Sequence, residues 1–205
     1  MIDAAADLLL GATCPGCSTP GWGLCGLCLA ALSVPVRWVH RGLDVPLSAA
    51  CPYRPVLAHV VPRYKDDGAL HLDRMLGRLL ARAVSVHDPP PEAILVPVPS
   101  RPAAVRARGY DHAHRLAVAA AGRLGLRAVR VLRRSPDGAD QEGLGRAQRA
   151  KNLAHSMRAR PTVAPVILVD DVVTTGASLG ESLRRLTAVG VQVLGAAVVA
   201  DADYR

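Results

Sequence analysis

Leu72, Met75, Leu76, Leu79, Leu80 and Ala83 recur three and four apart within DDGALHLDRMLGRLLARAV, residues 66–84. That spacing turns one helix face toward a core and predicts a helix over the stretch. YDHAHRLAVAAAGRLG (110–125) predicts a second helix, stopped by Gly125, and SLGESLRRLTAVG (178–190) a third, ending at Gly190. Alternating with them are short, mainly apolar runs, at 93–100, 128–132, 165–169 and 191–200. Strands that alternate with helices and are apolar on both sides belong to a parallel sheet covered on both faces, so the fold class is α/β.

The remaining segments carry less pattern. Residues 1–12 hold a short apolar helix candidate, and 33–62 are rich in Pro and Val without a period, which predicts a linker with irregular strands. Residues 133–152 are polar, glycine-bearing and long, as functional loops are. The N-terminus carries Asp3 and Asp7 and no basic residue, unlike a secretory signal, and no apolar run approaches a membrane span. The expectation is a cytoplasmic protein with no membrane span.

Half of the residues are apolar, enough for a sizeable core, but only 3% are aromatic and none is Phe, which argues against stacking of nucleic-acid bases. The formal net charge is +8, and its location changes the picture. Residues 101–160 contain 13 Arg and Lys151 against Asp111, Asp137, Asp140 and Glu142. A basic middle suits a polyanion, either a phosphorylated small molecule or a nucleic-acid backbone, although an arginine-rich solvated surface reads the same way.

Four of the five cysteines form two Cys-x2-Cys pairs, Cys14/Cys17 and Cys25/Cys28. Each pair aims two thiolates at one point, and together they complete a closed tetrahedral site, the pattern of structural zinc. Gly16 and Gly26 are expected to supply the tight turns; disulfide or redox roles are the alternatives. Cys51 reads as a small buried hydrophobe. The domain expectation is a zinc unit with linker over 1–45 and an α/β domain over 46–205.

VILVDDVVTTGAS (166–178) orders its residues like a ligand site. With the strand expected to end at Val169, Asp170 and Asp171 fall at its carboxyl end, where open α/β sheets bind ligands. Adjacent carboxylates there accept hydrogen bonds from sugar hydroxyls or attract a divalent cation. Thr174, Thr175, Gly176, Ala177 and Ser178 then lead into a helix whose free amides suit a phosphate. A ribose 5-phosphate carries both features. No G-x4-GK[ST] or GxGxxG appears, which argues against a P-loop ATPase and a dinucleotide fold. An aspartate pair that merely caps a strand–turn–helix is the bland alternative. None of the seven histidines has a telling context; His112 and His114 read as surface residues, and Lys65 as an exposed lysine or a phosphate contact.

The 166–178 stretch resembles the phosphoribosyl pyrophosphate (PRPP) signature of type I phosphoribosyltransferases. With the cysteine pairs, Tyr64–Lys65, VPVPS, RARGYD and the 141–152 segment with Arg149, the chain is similar to ComF-type competence proteins from about Cys14 to Ala200. The resemblance implies a type I phosphoribosyltransferase-like sheet with an N-terminal zinc unit. It implies that Asp170 and Asp171 bind ribose hydroxyls and that Thr174 to Ser178 hold the 5-phosphate. Ser100 and Arg101 would line the pyrophosphate loop, with Arg106 and Arg108 as helpers, and 133–152 would be a flap. Departures are Tyr110-Asp111-His112, where an aromatic and Asn-Gln are usual, and Gln148 in place of a glutamate.

Two functions follow from the resemblance. One is PRPP binding in DNA uptake or processing, with single-stranded DNA and a helicase as partners. The other is a magnesium-dependent transferase in which a nitrogenous acceptor displaces pyrophosphate from C1, with Asp170, Asp171 and Arg101 as the catalytic set.

Overall fold

The computed structural model describes residues 13–134 and 157–203. The expected helix at 1–12 and most of the expected flap lie outside them.

Six strands form one sheet: β1 (Arg37–Trp38), β2 (Leu47–Pro52), β3 (Ile94–Pro97), β4 (Arg127–Ala128), β7 (Val166–Val173) and β8 (Val193–Asp201). Their order is β1-β2-β8-β7-β3-β4, all parallel except the β1–β2 edge pair. A short antiparallel ribbon, β5 (Leu132–Arg134) with β6 (Met157–Ala159), stands apart. The expected strand at 128–132 is therefore two pieces serving two different sheets.

Helices α1 (Gly26–Leu32), α2 (Leu57–Lys65), α3 (Asp73–Ser85), α4 (Pro102–Arg108), α5 (His112–Leu124) and α6 (Ala177–Ala188) complete the described chain. The segment expected as an irregular linker holds β1, β2 and most of α2. β2, with the sequence LSAACP, lacks the branched residues that mark strands, yet it is almost wholly buried beside β8. α3 starts at Asp73, after a single 3-10 turn at Leu70–Leu72, so 66–69 are not helical as expected.

The strands' alternation splits the core in two. Ile167 and Val169 of β7 pack with α2, α3 and α5, through Val60, Leu80 and Leu116 among others. Val166 and Leu168 face the opposite layer, which holds Leu179 and Leu186 of α6 and Leu132 and Met157 of the ribbon. Burying each such aliphatic side chain contributes roughly 1.5–3 kcal/mol. α3 and α5 approach closely because Gly77 lies under Ala119; a Cβ on Gly77 would come 2.6 Å from that of Ala119.

The chain leaves β3 toward β4 on one side and leaves β7 toward β8 on the other. The topological switch point, where open α/β sheets form a crevice, is therefore between β3 and β7.

Candidate functional site

A cavity of about 440 Å³ opens at that switch point. Its walls come from the loop after β3 (Val98, Pro99, Ser100), the end of β7 (Asp170, Asp171, Val172), and Thr174 and Ser178 around the start of α6. Lys65 of α2, His112 of α5 and Arg134 of β5 close it.

β7 does not end at Val169 as expected; it runs on to Val173, with both aspartates inside it. Neighbouring strand residues point to opposite faces. Asp171 shares the face of Ile167 and Val169 and meets α2 and α5, whereas Asp170 shares the face of Val166 and Leu168 and turns toward the ribbon. The two carboxylates thus have different surroundings and different chemistry.

Asp171 is buried. Its Oδ2 lies 2.8 Å from Lys65 Nζ and 3.2 Å from His112 Nε2, and its Oδ1 accepts the Val172 amide at 2.6 Å. Burial alone would raise its pKa, but the nearby His112 ring and the charge of Lys65 hold it below the ordinary carboxylate value. For Asp170, burial and the negative charge of Asp171 push the pKa up to about 7, against the pull of Lys65 and Arg134. Its Oδ1 accepts the Asp171 amide at 2.9 Å.

His112 has a charged neighbour at each ring nitrogen. Arg108 Nη1 is 2.9 Å from Nδ1, and a guanidinium only donates, so Nδ1 accepts and the ring hydrogen sits on Nε2, 3.2 Å from Asp171 Oδ2 without the alignment of a hydrogen bond. Arg108 also pairs with Asp66 at 3.2 Å. Two tyrosines cross-brace the wall: Tyr64 Oη donates to the His112 carbonyl at 3.1 Å, and Tyr110 Oη to the carbonyls of Tyr64 (2.5 Å) and Lys65 (3.2 Å). Asp111 caps α5 by accepting the His114 amide, and it accepts from Ser100 Oγ at 3.2 Å. The departure Tyr110-Asp111-His112 thus orders the loop after β3 and the Asp171 pocket together.

At the α6 end of the cavity, Gly176 caps the helix in the left-handed region, φ 79°. Arg41, from the loop after β1, donates to the Thr174 carbonyl at 2.8 Å and pairs with Asp201 and Asp203. A Cβ on Gly176 would stand 2.9 Å from the Cβ of Arg41, so this turn is glycine's by both conformation and space.

Of the residues expected at the site, Ser100, Asp170, Asp171, Thr174 and Ser178 line the cavity. Thr175, Gly176 and Ala177 form the turn and first residue of α6 beside it. Arg101 is exposed at the N-cap of α4, and Arg106 is exposed; neither they nor Arg108 lines the cavity. His112, expected at the surface, is buried instead. Arg134 and Arg41 are polar groups that the residue pattern does not assign. The sequence leaves Lys65 open between an exposed lysine and a phosphate contact, and singles out His112 only within the departure Tyr110-Asp111-His112.

The four cysteine sulfurs lie within 4.8 Å of one another, with Cys17 Sγ 3.5 Å from Cys25 Sγ. A tetrahedral metal with thiolates at about 2.3 Å needs sulfur separations of about 3.8 Å, so four cysteines here could hold one metal ion. Gly16 admits the close approach, since a Cβ there would meet Cys28 Sγ at 2.9 Å. Gly26, expected in a turn, instead opens α1, and Cys25 is its N-cap. Cys14, Cys28 and Leu32 pack into the same core as Val56 and Leu57 of the sheet domain. Cys51 is buried, as expected, its thiol directed at the Leu32 carbonyl.

Residues 106–204 match the phosphoribosyl transferase domain family. Competence protein F of Haemophilus influenzae is 34% identical over 147 residues, covering 66% of this chain and 64% of that protein. The chain thus spans a little under two thirds of that curated relative. Among solved structures, adenine phosphoribosyltransferase from Thermoanaerobacter pseudethanolicus is 18% identical over 84% of this chain and 87% of its own, TM-score 0.42. The Leishmania tarentolae adenine phosphoribosyltransferase is 13% identical over 82% and 95%, TM-score 0.44. No helix among the described residues is long and apolar enough to cross a membrane. Residues 106–204 thus form a phosphoribosyl transferase domain, and the chain, with four cysteines gathered at one point, is similar to Competence protein F.

Proposed function

We propose that the crevice between β3 and β7 binds a ribose phosphate, PRPP above all, and that the protein serves DNA uptake or DNA processing. The observation that carries the binding reading is the cavity itself. It sits at the switch point and is lined by Asp170 and Asp171 at one end and by Thr174 and Ser178 at the mouth of α6. The sugar hydroxyls meet Asp170 and Asp171. The 5-phosphate meets the turn from Thr174 through Thr175, Gly176 and Ala177 to Ser178, where backbone amides and hydroxyls donate. Ser100 and Arg101 flank the pyrophosphate, and Arg108 supports them through His112. The role in competence rests on Competence protein F as a relative, and single-stranded DNA and a helicase are the partners proposed for that role.

Zinc is the metal that best suits four thiolates, in a unit within 1–45 that stabilises the 46–205 domain by packing against it. The described cysteines are unpaired thiols, in keeping with a cytoplasmic protein. Magnesium fits the aspartates less well. Asp170 Oδ1 and Asp171 Oδ1 each accept a backbone amide, and Asp171 Oδ2, which accepts no hydrogen bond, already faces the Lys65 ammonium at 2.8 Å. No step is therefore assigned to it.

A second reading, transferase activity, is favoured by Lys65 and Arg134 lining the cavity. A nitrogen lone pair would bond to C1 as the C1–oxygen bond to pyrophosphate breaks, and cations would receive the leaving charge.

Calorimetric titration with PRPP tests the binding reading. Saturable heat is expected for the wild type, with loss of affinity in Asp170→Asn and in Ser178→Ala. Absence of heat in the wild type, or unchanged binding in both variants, refutes it. Pyrophosphate release in the presence of candidate bases tests the second reading.

A further inference from the structure

Lys65 is built into its position. It is the last residue of α2, its carbonyl is held by Tyr110, and its ammonium lies 2.8 Å from Asp171 Oδ2. His112 Nε2 lies 3.2 Å from the same oxygen, and His112 is itself held by Arg108 and, through its carbonyl, by Tyr64. The other Asp171 oxygen is taken by the Val172 amide. A cation approaching Asp171 would have to displace this half-buried ammonium, whose backbone is fixed by Tyr110. On the opposite face of the sheet Arg134 lines the cavity, its charge acting on Asp170 and its Nε anchored to the Pro99 carbonyl at 2.9 Å. Each carboxylate thus has its own fixed monocation, and the two together carry the charge of one divalent ion.

We propose, on the ribose phosphate reading above, that the Lys65 ammonium takes the station a divalent cation would hold against Asp171, so that sugar phosphate binds this crevice without a metal. The lysine keeps Asp171 ionised and oriented, and it leaves positive charge facing the cavity for the ligand's phosphate oxygens. Lys65 is a positioning residue that acts through Asp171. Dehydrating magnesium is costly, and an ammonium already inside the wall removes that step from binding.

The test is calorimetry with ribose 5-phosphate and with PRPP, on zinc-loaded protein, in resin-treated magnesium-free buffer and again with excess magnesium. Ribose 5-phosphate lacks the pyrophosphate that would carry magnesium on its own, so its metal dependence reports the aspartates. The wild-type affinity for it should differ by less than about threefold between the two buffers, under 1 kcal/mol. Lys65→Met should weaken binding about tenfold or more without magnesium, the value of one charge-assisted contact, and magnesium should restore it. Lys65→Arg should bind in both buffers, and it keeps the test decisive if the methionine variant does not fold. Wild-type binding of ribose 5-phosphate that vanishes without magnesium, or a folded Lys65→Met that binds like wild type in magnesium-free buffer, overturns the proposal and leaves the ribose phosphate reading intact. No heat with either ligand in either buffer overturns that reading, and this proposal with it.

Discussion

Asp171→Asn removes one negative charge from a buried wall and changes almost nothing in shape. The Asp171 side chain is 5% exposed and that of its partner Lys65 28%, with 2.8 Å between charged atoms. Removing one member of a buried pair typically costs about 3–5 kcal/mol, because the other charge stays behind without compensation. Lys65 retains some access to water, which points to the lower end, about 3 kcal/mol. In a chain of this size each kcal/mol moves Tm by roughly 2–4 °C, so the variant should melt about 6–12 °C lower without ligand. Urea unfolding followed by circular dichroism measures the loss directly. Lys65→Met and the double variant complete a cycle in which the pair should couple by more than about 1 kcal/mol. The sign with pH is fixed by the depressed pKa of Asp171, about 2 in the folded protein against an ordinary 3.8. Its stabilisation is complete above the ordinary value and disappears as pH falls through the folded one. An Asp171→Asn variant within about 0.5 kcal/mol of wild type would refute this account of the wall.

Asp170 has the opposite sign. Its folded pKa is raised from 3.8 to about 7, so its stabilising proton is fully held below the ordinary value and lost as pH rises toward neutrality; Asp170→Asn should flatten that part of the stability–pH curve. Gly176→Ala puts a Cβ at φ 79° and against Arg41, and should cost about 1–2 kcal/mol in thermal melts while lowering phosphate affinity. Arg41→Ala should likewise weaken sugar-phosphate binding by releasing the Thr174 carbonyl, with the cavity wall at Lys65 unaffected in a Lys65–Asp171 cycle. Metal analysis should find one zinc per chain, and Cys28→Ser should lose it together with a large part of the melting temperature.

The parallel sheet was legible because β3, β7 and β8 are apolar on both faces and α3, α5 and α6 carry clear periods or glycine stops. β2 was not, since its alanines and cysteine fill space between buried neighbours without any branched-residue signal. α2 was hidden by Pro62 inside it. The aspartate pair was found by its order with the threonines, glycine and serine, but the placement of its members on opposite faces was not. That depends on β7 continuing to Val173, which β8 enforces by pairing as far as Asp201. Arg41 stands 133 residues from Thr174, and no local pattern announces a contact of that range.

The cysteine cluster has a consequence for how the molecule tolerates being divided. Gly16 and Cys28 abut Val56, the residue from which α2 departs, and α2 delivers Lys65 to the crevice nine residues on. A protein trimmed to begin at residue 46 would bare Val56 and Leu57 to water and loosen the root of that helix. Stripping the thiols of metal and deleting them outright should therefore register at the same distant ammonium, as a softened grip on the sugar.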